Sequence, residues 1–182
     1  MIHLSKFKNS SFSRGAPAWK EAAWWVVKSL LFAPWFPVPS FVKVAVLRFF
    51  GAKVGIGVVI RSRVNITVPW RFRCGDYVWI GDEVLILSLA EVNLGSNVCL
   101  SQRAFLCTGS HDHTKAAFDL ITKPIVIEDG CWVGAQAFVG PGVTLKQNTV
   151  CAAVAVVVKD AGPDELIGGN PAKLIRKLDP PV

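Results

Sequence analysis

The chain has 182 residues, 52% hydrophobic and 18% charged, and its 20 Lys and Arg outnumber 13 Asp and Glu for a formal net charge of +7. That apolar content excludes a disordered chain, and five cysteines without a CxxC pair argue against a disulfide scaffold or a thiolate-held metal. The positive balance suits an anionic substrate or surface without choosing between them, and no nucleic-acid partner is expected.

The first forty-odd residues differ from the rest. Residues 18–32 are helix-compatible and nearly apolar, with Trp19, Trp24, Trp25, Leu30, Leu31 and Phe32 beside a narrow polar stripe of Lys20, Glu21 and Lys28. Pro34, Pro37 and Pro39 stop that helix. A second helix is expected after Ser40 as N-cap, with Val42, Val46 and Phe49 on one face and Lys43 and Arg48 off it. The apolar run 22–32 contains Lys28 and falls short of the ~20 residues that a spanning helix needs. The charged start is not followed by an apolar run with a small-residue cleavage site, so no signal peptide is expected. Residues 1–48 therefore read as a helical segment that covers the open first turn of the structure behind it. Tryptophan beside lysine on an apolar face is also the composition of a helix lying on a membrane surface.

From residue 49 the pattern changes. Apolar residues recur every six positions: Phe50, Ile56, then Val68, Cys74, Ile80, Ile86, then two out of step Leu94, Leu100, Leu106, and later Ile127, Val133, Val139, Leu145, Cys151, Val157. A period of six fits neither an amphipathic helix nor an alternating strand, and predicts a parallel β-helix with one short strand per hexapeptide. Four positions on stands a residue of modest size, such as Val78, Val98, Ala104, Ala137 or Ala155, which together with the larger one fills a thin triangular prism. A β-sandwich would not space its strands so evenly. Glycine often follows the large residue, at Gly51, Gly57, Gly75, Gly81, Gly95, Gly134 and Gly140, where a corner requiring positive φ is expected. Cys74, Cys131 and Cys151 fall on inward positions and read as buried reduced thiols of a cytoplasmic protein.

The repeat domain spans 49–178, with a loop inserted at 109–124 and a short tail at 179–182. Insertions into a solenoid lie on its surface and gather on the binding side. Of three histidines, His3, His111 and His113, two stand at the root of this loop, where a general base would be presented.

Four blocks, FFGAKVGIGVVI at 49–60, LGSNVCLSQRAFLCTGSHD at 94–112, FDLITKPIVIEDGCWVGAQAFVGPGVTL at 118–145 and GGNPAKLIRKL at 168–178, resemble the hexapeptide-repeat O-acetyltransferases. That group includes the galactoside and maltose acetyltransferases, and the branch most resembled is that of colanic acid and exopolysaccharide biosynthesis acetyltransferases. The resemblance implies an all-β fold, a left-handed parallel β-helix with a short helical N-terminal segment, although the general preference for right-handed crossovers would suggest the opposite hand. It also implies a homotrimer with acetyl-CoA in the grooves between subunits. His111 of TGSHD matches the family's catalytic histidine, which as neutral imidazole takes the proton of a sugar hydroxyl attacking the thioester; His113 is read as a substrate-side or solvated residue. Asp112 and Asp119 are candidates to orient the other ring nitrogen of His111.

Ala135 and Ala153 match positions where the coil passes close to CoA, and Lys159 and Arg176 match positions that meet its phosphates, with Lys173 a weaker addition. No metal is implied. Departures are Val158 where a threonine is usual, AAVAVV at 152–157, and an apolar coil at 85–91. A non-catalytic β-helix scaffold is the alternative from another class, separated by a thiol-release assay. A γ-type carbonic anhydrase, which needs three zinc-binding histidines, is a remoter one. No residue chooses the acceptor among exopolysaccharide sugar, lipid-linked unit, nucleotide sugar and small glycoside.

Overall fold

A computed structural model describes residues 2–8 and 12–179. Two helices, α1 (Ala18–Leu31) and α2 (Ser40–Phe49), precede a parallel β-helix whose coils lay short strands on three faces. Face A stacks Lys53–Val54, Phe72–Cys74, Val92–Leu94, Ile125–Ile127 and Thr144–Leu145. Face B stacks Val59–Ile60, Trp79–Ile80, Cys99–Leu100, Trp132–Val133 and Val150–Cys151, and ends in the antiparallel hairpin Glu165–Gly169 and Ala172–Lys177. Face C stacks Asn65–Ile66, Leu85–Leu87, Phe105–Cys107, Phe138–Val139 and Val156–Val157.

The hexapeptide rule has a direct physical cause here. Strand pairing aligns Ile60, Ile80, Leu100, Val133 and Cys151 in one column and Ile66, Ile86, Leu106, Val139 and Val157 in another, all of them buried. Each inward side chain rests on its counterpart one coil away, so the core is a set of aliphatic stacks. Burial raises the thiols of Cys74 and Cys131 to about 11 and that of Cys151 to about 12, leaving them protonated and inert at neutral pH.

Four expectations need correction. In the first coil the inward column runs Val54, Ile60, Ile66, whereas Ile56 is exposed, so the phase read from Phe50 and Ile56 is wrong. Extra residues between Ile66 and Cys74, including the 3-10 turn Pro69–Arg71, shift the count there as a second extension does between Ile86 and Leu94. Positive φ occurs at Gly51 and Gly57 but not at Gly75, Gly81, Gly95, Gly134 or Gly140; the left-handed residues stand two positions on, at Tyr77, Glu83, Asn97, Gln136 and Gly142. These five glycines answer to space instead: a Cβ on Gly134 would lie 2.6 Å from the Ala153 amide nitrogen. Third, Ser40 is the first residue of α2 and Pro39 its N-cap; the Ser40 hydroxyl accepts the Ile60 N–H at 3.0 Å.

A fourth correction is the face of α2: Lys43, Val44 and Leu47 are its buried residues, whereas Phe49, expected on one face with Val42 and Val46, is exposed. Lys43 enters that face because its Nζ donates to the carbonyls of Ile60 and Arg61 at 3.3 and 2.6 Å, satisfying the end of the coil. Burial pushes its pKa down, and the carboxylate of Asp82 opposes that. On α1, Trp24 is buried against Phe32 and Phe50, and its Nε1–H donates to Ile66 O at 3.0 Å. One face of the helical pair thus closes the first coil. Among the described residues no helix is long and apolar enough to cross a membrane.

Candidate active site

The loop leaves face C after Cys107 and returns to face A at Ile125. Beneath it the ladder is unbroken, because Ile125–Ile127 pairs in register with Val92–Leu94. The loop is itself a β-hairpin in which Gly109–His111 pairs antiparallel with Leu120–Thr122 and His111 stands opposite Leu120. Its tip is folded by Asp112, whose Oδ1 accepts from the Thr114 N–H at 3.0 Å and the Thr114 hydroxyl at 2.6 Å. Those bonds hold the Asp112 carboxyl below its ordinary range. Lys115 reaches Asp119 at 3.2 Å and Asp112 at 3.7 Å. Both carboxylates are therefore committed to the loop tip.

The orienting group for His111 is the main-chain carbonyl of Phe118, 2.8 Å from Nδ1. A carbonyl can only accept, so Nδ1 carries a proton, and in the neutral imidazole Nε2 is the nitrogen that holds the lone pair. Nε2 has no hydrogen bond among the described residues. Phe118, at φ 53°, turns back so that its ring lies parallel to the imidazole at 4.3 Å and 1°. Phe7 meets the imidazole edge-on at 5.6 Å, on a segment tied to the loop by the His3 N–H to Ala116 O at 2.9 Å. The half-buried imidazole is held in one orientation by three contacts. His113 is exposed beyond it.

Sequence reasoning missed both Phe118 and Phe7. The first acts through a carbonyl that any residue would supply, and the second is distant in sequence with no repeat restraint.

The other candidates fall into separate groups. Ala135 and Ala153 occupy successive coils at the corner between faces B and C, joined by the Val154 N–H to Ala135 O at 2.9 Å. With Gly134 beside them they form a platform without bulky side chains. The hairpin tip approaches the same corner, since a Cβ on Gly168 would lie 3.1 Å from the Ala152 Cβ. Lys173, opposite Gly168, is near it, while Arg176 pairs farther back with Leu166. Arg176 donates to the Lys177 carbonyl at 3.2 Å and, like Lys159 and Lys173, forms no ion pair among the described residues. Lys159 lies at the corner between faces C and A, the corner from which the loop springs, two coils from Thr108 and so roughly 10 Å along the prism at the usual strand spacing. His111 and the alanine platform are thus on opposite edges of face C, and one chain alone does not bring them together. The cleft of about 380 Å³ between Asn93, Val126, Glu128, Asp129 and Gln147 on face A does not include His111. Among the described residues, no three His, Cys, Asp or Glu side chains are grouped as metal ligands.

No protein-family model matches the chain. It is 42% identical over 178 residues, 97% of each chain, to a protein of Escherichia coli K12 assigned the name colanic acid biosynthesis acetyltransferase WcaF. It is 31% identical over 133 residues, 71% of this chain and 57% of the other, to the galactoside O-acetyltransferase of the same organism. Among solved structures, a hexapeptide-repeat-containing acetyltransferase of Vibrio cholerae O1 biovar eltor, complexed with acetyl coenzyme A, superposes with a TM-score of 0.82 at 27% identity over 99% of this chain and 100% of that one.

Proposed function

The chain belongs to the hexapeptide-repeat acetyltransferases and is an acetyl-CoA-dependent O-acetyltransferase of exopolysaccharide biosynthesis; within that activity we propose that His111 is the general base acting on a sugar hydroxyl. The observation that carries this role is the Nδ1 to Phe118 O bond, which makes Nε2 the basic nitrogen of the neutral imidazole. Acetyl-CoA supplies the acetyl group already activated as a thioester. Nε2 accepts the hydroxyl proton as the sugar oxygen bonds the acetyl carbon, and returns it to the sulfur as the C–S bond breaks. The products are the acetyl ester and CoA thiol.

The alanine platform of Ala135 and Ala153 lets an extended pantetheine run close to the coil, and Lys159 and Arg176, free of carboxylate partners among the described residues, suit phosphates. These groups occupy different edges of one face, so a site that unites them needs a second chain. A homotrimer with shared sites meets that need, and light scattering at about three times 19.8 kDa is its test. We place the protein in the cytoplasm, peripheral to the inner face of the membrane. For the activity, thiol release from acetyl-CoA should depend on added sugar acceptor and fall by about 10² to 10⁴ in His111→Ala. Undiminished turnover in a folded His111→Ala protein would refute the role of this histidine.

A further inference from the structure

While one side of α1 closes the coil through Trp24, the opposite side is left uncovered. Along it and through the turn that follows, Trp19, Trp25, Val26, Leu30, Trp35 and Phe36 are each 57 to 71% exposed. The helix positions between them on this side are Ala18, Ala22 and Ser29, so the outward face of a 14-residue helix carries no charge at all. A continuous apolar surface of this kind on a folded protein marks a contact.

Charge indicates what it contacts. Ten of the 20 Lys and Arg precede Val64, but only one of the 13 acidic residues does, Glu21, and it is paired with Arg14 at 3.3 Å. The net positive charge of the protein is therefore concentrated in the third of the chain that bears the apolar face. Two of the exposed tryptophans each have a cation over the ring, Lys28 at 4.6 Å from Trp25 and Arg63 at 4.7 Å from Trp35. A second copy docking through the same face would bring two cationic segments together at a like-charge cost. An anionic bilayer surface offers an apolar layer for the aromatic rings and phosphates for the flanking cations.

We propose that the outward face of α1, continued by Trp35 and Phe36, docks this protein on an anionic phospholipid bilayer. This deepens the peripheral placement proposed above and is independent of the acetyl-transfer chemistry. It would hold the acetyltransferase within reach of acceptors displayed at a membrane.

The test is co-sedimentation of the full chain with vesicles of mixed phosphatidylglycerol and phosphatidylcholine, compared with phosphatidylcholine alone. Wild type should partition onto the anionic vesicles, and less so as salt rises. The triple variant Trp25→Gln, Leu30→Gln, Trp35→Gln should lose at least about tenfold in partitioning, from the apolar area it withholds. Because these side chains are exposed, the variant should keep its thermal melt and its acetyl transfer to a soluble sugar. Equal sedimentation of variant and wild type, or of wild type on the two vesicle types, would overturn the proposal. So would a wild-type assembly of twice the variant's mass in light scattering, which would assign the face to a second copy.

Discussion

Replacing His111 by asparagine separates the two jobs of the imidazole. In His111→Asn the side-chain amide nitrogen takes the place of Nδ1 and can still donate to the Phe118 carbonyl, a bond of 2.8 Å in the wild type, but nothing remains at the position of Nε2. A lost general base lowers the rate by about 10² to 10⁴, or roughly 2.7 to 5.5 kcal/mol in activation free energy. The orienting bond is worth about 1 kcal/mol net and the Phe118 stack about 0.5 to 1.5 kcal/mol. Alanine should therefore loosen the hairpin as well as remove the base, whereas asparagine should lose the base and the stack but keep the bond. Thiol-release kinetics should show both variants down by about 10² to 10⁴ in kcat. Hydrogen exchange at the Asp112 amide, which donates to Asp119 O at 2.8 Å, should stay protected in His111→Asn and rise in His111→Ala. An asparagine variant within tenfold of wild type would refute general-base catalysis at this position.

Lys159→Ala and Arg176→Ala should each raise KM for acetyl-CoA with little change in that for the acceptor, and the wild-type KM for acetyl-CoA should rise with ionic strength; equal effects on both substrates would point to folding instead. Gly134→Ala would set a Cβ 2.6 Å from both Ala153 N and Cys151 O, two backbone atoms that cannot swing aside, so a loss of about 1 to 3 kcal/mol in denaturant unfolding is expected. Gln136→Gly, at φ 58°, should change stability by no more than about 1 kcal/mol. Alkali should destabilise the coil: Cys74, Cys131 and Cys151 deprotonate near 9.0 when unfolded but hold their protons to about 11, 11 and 12 when folded, so stability is full below pH 9 and falls as pH rises through that window. Unfolding midpoints measured across that window should drop, and replacing the three thiols with valine should flatten the curve.

The six-residue period is legible because every inward residue meets the same environment one coil later. Its phase in the first coil is not, because the turn Pro69–Arg71 adds chain at a corner without leaving the hydrophobic pattern, and Ile56 resembles an inward residue. The face of α2 is hidden for a different reason: Lys43 is the most deeply buried residue of its turn, and a lysine announces a solvent position unless the carbonyls that receive it are seen. Glycines at the corners are conspicuous in the sequence, yet at Gly75, Gly81, Gly95 and Gly134 their cause, backbone of the next coil within 3 Å, belongs to coil stacking and not to local φ. His111 stands out because histidine is rare here. Its partner does not, since any residue at 118 would supply the carbonyl.

The hairpin carrying His111 is appended to a ladder that closes without it: the Ile125 N–H donates to Glu91 O at 3.0 Å, and the Lys123 N–H to Thr108 O at 2.9 Å pins the neck. Lengthening such an appendage is cheap, about 0.6 kcal/mol for each doubling of a flexible loop, and it re-registers no coil. Heritable change can therefore lengthen or exchange the hairpin tip at residues 113–117 while His111, the Phe118 carbonyl that orients it and the coil beneath are kept. Such an appendage can vary in length and composition at its tip without disturbing a single rung of the ladder below it.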